Sequence, residues 1–588
     1  MANLRGYQRE LNAGIRAAWE EGHRVVMGVL PTGGGKTVCM GDIAIHHDGW
    51  GCAIAHRHEL VSQISRSLAS EGIMHKIIGS DTTVSAIQRD HYKKFDRSWL
   101  NQKGRTEWAV ASVDTIVKRP HEEHFKKSTL AIEDEGHHAL RANKWGKVFN
   151  MFSATCLGLL LTATPIRADG MGLGRSFDGI VDAMIEGPGM RWMIENGFLT
   201  DYDVFCPEVT GLDFGKVKTT ASGELSDIQI AELLKKNPQI IGDVVRHYLE
   251  HARGKLGITF AANIDEANKI AAAFNAAGVP AEVVSSDSTP DQRRSALERF
   301  ENRQLLQLVN VDLFGEGFDL PAIEVVSMAR PTASLSLFYQ QWGRALRLMI
   351  SPILQAAWDT YTPAQRLAFI QASSKPRAII IDHVGNLLRH LGPPDKDRVW
   401  SLARRQRGGG QSDAIPLRSC SFCHKPFERI KTVCPYCRRV QPPPDPTLRG
   451  SPKLIDGDLH LLSPEVLEAM RKGAGQLMGT AYVRNDLKGT PAEANVIRTH
   501  AARNRAQQNL RYAIACWAGL YRKEDDQTRE RRFFHTFKLD VLSAFTLGRP
   551  EAEELLHRVT QKVLLAGAVI NGLPFPEDVP KPPTEQVA

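Results

Sequence analysis

No run in this 588-residue chain is long and apolar enough to suggest a membrane span. The longest nearly apolar stretch, Cys156–Ile166, falls well short of the ~20 residues a membrane helix needs. The opening residues, MANLRGYQRELNAGI, place charges where a secretory leader carries its apolar core. The expectation is a cytoplasmic chain with no membrane partner. Cysteine is sparse: nine residues, scattered singly except for Cys420, Cys423, Cys434 and Cys437. An odd total with one tight group reads as a reducing compartment and a metal site, not a disulfide framework. No internal repeat is visible. With 42% apolar and 24% charged residues, wholesale disorder, collagen and a small disulfide scaffold are excluded. The net charge of +8 suits a polyanion partner without proving one.

At about 150 residues per domain the length fits three or four domains. The first half alternates short β-branched runs with helical patterns, as parallel α/β layers do. Strands are expected at Val25–Leu30, Cys52–Ala55, Trp108–Val113, Leu130–Glu133 and Gly158–Thr162. The rhythm resumes at Leu256–Phe260, Ala281–Val284, Leu305–Val311, Ile323–Met328 and Ala378–Ile381, with helical patterns at Ile264–Ala277 and Gln292–Phe300. Two successive α/β domains follow, 1–205 and 206–388. Residues 389–412 hold six basic residues and Gly408-Gly409-Gly410, the composition of a flexible basic linker. The cysteine segment occupies 413–446, a helical region 447–573, and a Pro-rich tail 574–588.

The strongest chemical signal is Leu30-Pro31-Thr32-Gly33-Gly34-Gly35-Lys36-Thr37, directly after the first strand. A Gly-rich turn between strand and helix lets backbone N–H groups cup phosphate oxygens, lysine reach the β- and γ-phosphates, and threonine bind Mg²⁺. The strict pattern has glycine where Leu30 stands. Asp134 and Glu135 close the strand at Leu130–Glu133, where Asp134 would hold the metal and Glu135 would orient and deprotonate an attacking water. Glu133 is out of place, a charged residue where a buried strand prefers an apolar one.

The strings PTGGGKT, DEGH and TATP resemble motifs I, II and III of superfamily 2 helicases and translocases. The likeness extends over residues 1–385 in the family's order. Tyr7-Gln8 resembles the adenine-reading motif, AHRHEL at 55–60 motif Ia, SVDT at 112–115 motif Ib and ITFA at 258–261 motif IV. FGEGFDLP at 314–321 resembles motif V and QQWGRALR at 340–347 motif VI. The chain is similar to bacterial RadD-type helicases and to phage or prophage DEAD/DEAH-box helicases, which implies a bacterial or phage-infected cytoplasm.

The resemblance implies two tandem RecA-like lobes with ATP and Mg²⁺ between them. Tyr7, Gln8, residues 32–37, Asp134, Gly317 and Asp319 would bind nucleotide, and Thr37 and Asp134 the metal. Gln340, Arg344 and Arg347 would complete the catalytic set. The two arginines, spaced i, i+3, would share one face if the segment is helical, and the resemblance implies that they act as arginine fingers. Arg57, Ser112, Thr115, Thr162, Thr164 and Thr259 are the candidates for nucleic-acid contact by motif position, each of which fits a cap or surface role equally well.

The cysteines read C-x₂-C, ten residues, C-x₂-C, a spacing that supplies four thiolates to one tetrahedral Zn²⁺. Basic residues around them suit phosphate contact; a merely solvated zinc ribbon is the alternative. Arg529, Arg531 and Arg532 precede Phe533 and Phe534, a pattern open to DNA stacking or to an ordinary helical core. The function expected is an ATP-dependent DNA helicase or translocase in replication, recombination or repair. Its partners would be single-stranded or branched DNA and single-strand-binding or recombination proteins. An RNA-acting member of the superfamily and an ATP-switched fork-binding scaffold are the competing readings.

Overall fold

The computed structural model describes residues 4–55, 58–119, 122–207, 239–311 and 320–404 apart from 286, 391, 397 and 399, short pieces between 417 and 471, and most of 491–571. Seven strands form the first sheet: β1 Val25–Val29, β2 Gly51–Ala55, β3 His75–Ile78, β4 Trp108–Ser112, β5 Leu130–Asp134, β6 Leu157–Thr162 and β7 Ala183–Glu186. All pair in parallel, in the order β3-β4-β2-β5-β6-β1-β7. β1, β2 and β4 are buried along their whole length because helices cover both faces, which is why they read as continuous apolar runs. The two faces form separate cores, one around Leu11, Ile64, Ile132 and Leu161, the other around Met27, Ile54, Phe125 and Leu160.

The second sheet starts at β8 Tyr202–Pro207 and continues through β9 Gly257–Phe260, β10 Ala281–Val284, β11 Gln307–Asn310, β12 Val325–Met328 and β13 Ala378–Asp382. A hairpin follows, β14 Leu417–Ser419 with β15 Pro426–Glu428. The sheet order β10-β11-β9-β12-β13-β8 ends on β16 Leu459–Leu461, which runs antiparallel to β8. The expected division near residue 205 falls inside β8. That strand pairs with β13 and so belongs wholly to the second lobe.

The chain beyond β13 does not trail away. Arg398 Nε donates to the Tyr339 hydroxyl at 2.9 Å, and Gly174 N to the Leu402 carbonyl at 3.0 Å. Arg404 makes a bidentate pair with Asp178 of the first lobe at 2.7 and 2.6 Å. The segment read as a flexible linker is therefore pinned as far as Arg404. Composition showed its basic residues but not the carboxylate 226 positions away that fixes one of them. The chain then returns to the second lobe as β16. Arg471 Nε donates to Asp395 at 2.9 Å, and the Tyr202 hydroxyl donates to the same carboxylate at 2.6 Å.

The helices Pro491–Leu520, Asp526–Phe537 and Arg549–Asn571 enclose a core of Leu510, Trp517, Phe533 and Val559 that also takes Phe177 from the first lobe. Phe533 and Trp517 are interior residues; Phe534 beside them is half exposed. Among the described residues no helix is long and apolar enough to cross a membrane.

Asp395 has a side chain that is 0% exposed, and burial alone pushes its carboxyl upward, against the pull of Arg471. Removing one partner of a buried ion pair leaves a charge without compensation. Arg471→Met is expected to destabilise the chain by about 3 kcal/mol, the lower end for such a loss because Arg191 stays 3.4 Å from Asp395. Urea unfolding followed by tryptophan fluorescence measures it.

Candidate functional site: a cleft between two lobes

β1 ends at Val29, and Leu30 extends it by one bond, its N–H donating to the Thr162 carbonyl at 3.0 Å. Leu30 is fully buried, so the chain uses as core the position where a glycine is more usual. The turn then closes through Gly34 N to Pro31 O at 2.9 Å, and the helix Lys36–Ile45 begins. Gly33 and Gly35 take φ of +86° and +85°, a region side chains rarely enter. A Cβ on Gly35 would stand 2.3 Å from Gln8 Nε2. Tyr7 and Gln8 lie buried behind this turn, and both donate to the Gly34 carbonyl at 3.0 Å. Lys36 Nζ reaches back to the Leu30 carbonyl at 3.4 Å.

Asp134 ends β5, and Glu135 follows in a left-handed conformation with φ of 56°. The Asp134 carboxylate accepts the Glu135 N–H at 3.0 Å, which fixes the bend. Glu133 sits in register beside Ile54 and Leu160 in the middle of the sheet. Burial pushes its carboxyl well above the usual carboxylate range.

A chain of close polar contacts joins Glu135 to the second lobe. Thr164 N–H donates to Thr162 Oγ1 at 3.1 Å, and the Thr162 hydroxyl donates in turn to the Thr164 carbonyl at 3.2 Å. His137 Nδ1, 3.0 Å from Thr162 Oγ1 and 3.3 Å from Glu135 Oε2, must therefore carry the proton. Its Nε2 is then the acceptor for the Ser336 hydroxyl at 3.3 Å, while Ser336 accepts from Thr164 Oγ1 at 2.8 Å. The tautomer follows from the network itself. Ser336 belongs to the helix Leu335–Gly343 of the second lobe, capped by Ser334, whose hydroxyl accepts from Leu337 N.

That helix delivers the arginines. Thr32, Lys36, Thr37, Asp134 and Glu135 from one lobe face Arg344 and Arg347 from the other across a cleft of about 230 Å³. Arg344 is 3% exposed. Burial lowers the Arg347 guanidinium to about 10, which leaves it charged at neutral pH. The lobes meet tightly here: Thr200 N donates to Leu346 O at 2.8 Å, and a Cβ on Gly343 would lie 2.6 Å from Thr32 Cβ. Pro321 also lines the cleft. The buried Lys375 holds its carbonyl at 2.6 Å and that of Ile323 at 3.0 Å.

Gln340 lies buried in the Leu335–Gly343 helix, away from the cleft wall. The residues assigned to nucleic acid are placed differently from the expectation. Thr162, Thr164 and Thr259 are 0% exposed; the first two serve the chain just described, and Thr259 donates to Gln307 Oε1 at 3.2 Å. Their motif positions showed a hydroxyl but not the interior partner that holds it here. Ser112 is buried as the cap of the helix Val113–Lys118, accepting from Thr115 N at 3.2 Å. Arg57, Gly317, Asp319 and the cysteines at 420, 423, 434 and 437 lie outside the described residues. Sequence reasoning missed Ser336, whose only signal is its place one helical turn before Gln340, and the wall formed by Arg5, Phe198 and Gln355.

Two parallel α/β lobes closing on a phosphate-binding turn define a helicase-type core. Residues 1–167 match the family model for the type III restriction enzyme res subunit, and residues 239–349 the helicase conserved C-terminal domain. The chain is 29% identical over 412 residues to a 51.5 kDa protein of a Lactococcus phage, covering 69% of this chain and 76% of that protein. It is 27% identical over 365 residues to the putative ATP-dependent helicase IRC3 of Saccharomyces cerevisiae, 59% of this chain but only 49% of that one. A fragment of a putative HsdR subunit of a type I restriction enzyme from Vibrio vulnificus aligns over 66% of this chain and 65% of its own, with 18% identity and a TM-score of 0.45. These matches, in the order of the motifs, support a superfamily 2 helicase core.

Gly343→Ala tests the closeness of the lobes. The added methyl meets Thr32 Cβ, which cannot swing aside, so the cleft is held open. Turnover of ATP is expected to fall by about 10²-fold, the scale of a 1 Å misplacement, with nucleotide affinity less affected. Steady-state ATPase assays and nucleotide titration separate the two.

Proposed function

We propose that the chain is an ATP-hydrolysing motor that moves on DNA. The observation that carries this is the cleft itself, in which Lys36, Asp134 and Glu135 of one lobe face Arg344 and Arg347 of the other. Lys36 would bind the β- and γ-phosphates, with backbone N–H groups of the glycine turn around them. Thr37 and Asp134 line the same cleft and fit a Mg²⁺ ion, which when bound would neutralise phosphate charge. Glu135, aimed by His137, would orient the attacking water and take its proton. Arg344 and Arg347 would stabilise the charge that develops on the transferred phosphoryl group. Because they come from the second lobe, hydrolysis requires closure, and repeated closing and opening is what steps a motor along a strand.

The restriction-enzyme family match and the basic charge favour DNA as the track. RNA remains the competing polymer, and IRC3 is named only as a helicase. A Zn²⁺ ion is the proposed occupant of the cysteine segment: the C-x₂-C, ten residues, C-x₂-C spacing can supply four thiolates to one tetrahedral ion.

ATPase assays with single-stranded DNA, forked DNA and RNA of equal length test the reading. DNA is expected to stimulate turnover more than RNA, and Lys36→Ala to abolish it with the fold retained; stimulation by RNA alone would replace DNA as the track. Cys434→Ser in the full chain is expected to lose stoichiometric zinc, measured by atomic absorption, because three thiolates hold the ion poorly.

A further inference from the structure

Pro321 lines the cleft, and the side chain that holds it from behind is a fully buried lysine. Lys375 follows the helix Pro363–Gln371 and is 0% exposed. Its Nζ donates to the Pro321 carbonyl at 2.6 Å and to the Ile323 carbonyl at 3.0 Å. Among the described residues it forms no ion pair. Glu324, the acid whose charge reaches it, is spent on other groups. The two oxygens of Glu324 accept from Lys255 at 3.2 Å, Arg303 at 2.9 Å and the Leu256 N–H at 3.0 Å.

Two carbonyls satisfy hydrogen bonds but do not cancel a charge, and an ammonium taken out of water without a counter-ion is costly. Burial accordingly lowers Lys375 to about 7, against the pull of Glu324 and with the help of the Arg347 guanidinium. The influence of Arg347 is informative because Arg347 lines the cleft. A charge in the cleft is thus felt by Lys375 behind the wall, and phosphates there would act with the opposite sign.

We propose that Lys375 is a positioning residue of the nucleotide site, which holds the Pro321 wall from behind and draws in a proton when phosphates occupy the cleft. The inference rests on the cleft being the nucleotide site. A neutral amine still has one hydrogen for each carbonyl, so the wall stays in place in both protonation states. What changes is the charge behind it. The empty cleft disfavours the charged form, and bound phosphates favour it. Below neutral pH the lysine is charged in both states, and affinity is at its highest. As pH rises past 7 the free chain loses the proton, binding must restore it, and affinity falls. The other charged groups around the cleft are Arg5, Lys36, Asp134, Glu135, Arg344 and Arg347, so the slope is assigned to Lys375 by substitution.

The test is the affinity of the full chain for the non-hydrolysable ATP analogue AMP-PNP with Mg²⁺, titrated calorimetrically between about pH 7 and 9 in buffers of different ionisation enthalpy. Wild-type affinity is expected to fall about 5-fold over that range, if phosphates raise the lysine by about one pH unit, with uptake of part of a proton. Lys375→Arg keeps the charge at every pH, so its affinity should stay level and its proton uptake vanish. Lys375→Met has neither charge nor donor and should bind weakly throughout, again without a slope. Where the methionine variant unfolds, the arginine variant decides. A lysine that only props the fold would leave the slope unchanged in every variant that folds, and that result overturns the proposal, as does a flat wild-type affinity. Wild-type chain that binds no nucleotide at any pH removes the reading of the cleft, and the proposal with it.

Discussion

The chain of close polar contacts from Glu135 through His137 to Ser336 and Thr164 is the contact on which the closed cleft depends. It is buried, and Ser336 is its member from the second lobe, the others coming from the first. In a low-dielectric interior a polar network that loses a member is costly. Glu135 is held in a left-handed conformation, and Gly136 has no Cβ because Leu160 occupies the space 2.5 Å away. The carboxylate is thus aimed by a histidine whose other nitrogen reports whether the second lobe is in place. Ser336 lies in the helix Leu335–Gly343 and Arg344 caps its C-terminal end, so one element positions both.

The C-terminal third adds a second constraint. From β13 the chain crosses to the first lobe at Arg404–Asp178, returns to the second as β16 and Arg471, and crosses again to seat Phe177 in the last helical core. These crossings tie the two lobes together, and a cut just after β13 would not leave a self-contained second lobe, because Tyr202 would lose both Asp395 and Arg471.

Much of this was legible in the sequence, for physical reasons that differ by element. Central strands such as β1, β2 and β4 are buried on both faces and stand out as apolar runs; β10 has the bounds expected of it. The strands overlooked lie at or near sheet edges: β3 opens with His75-Lys76, β7 is Ala-Met-Ile-Glu, and β16 is three residues far along the chain. The motif strings are local, so Lys36, Asp134 and Glu135 could be named from their setting and Arg344 from the family resemblance, and the structure brings them to one cleft. What spacing does not carry is the partner of a polar group. Thr162 and Thr164 read as outward hydroxyls and Arg404 as a free linker charge. In both cases a contact from a distant residue, Ser336 or Asp178, holds the group here.

A double-mutant cycle on single-turnover ATP hydrolysis, with His137→Ala, Ser336→Ala and the pair together, tests most directly whether Glu135 is aimed through the second lobe. If the two residues act as one link, the double variant is no slower than the slower single variant, because either change already severs the chain. Losses that add as independent free energies would contradict it, and would mean that the lobes communicate by another route.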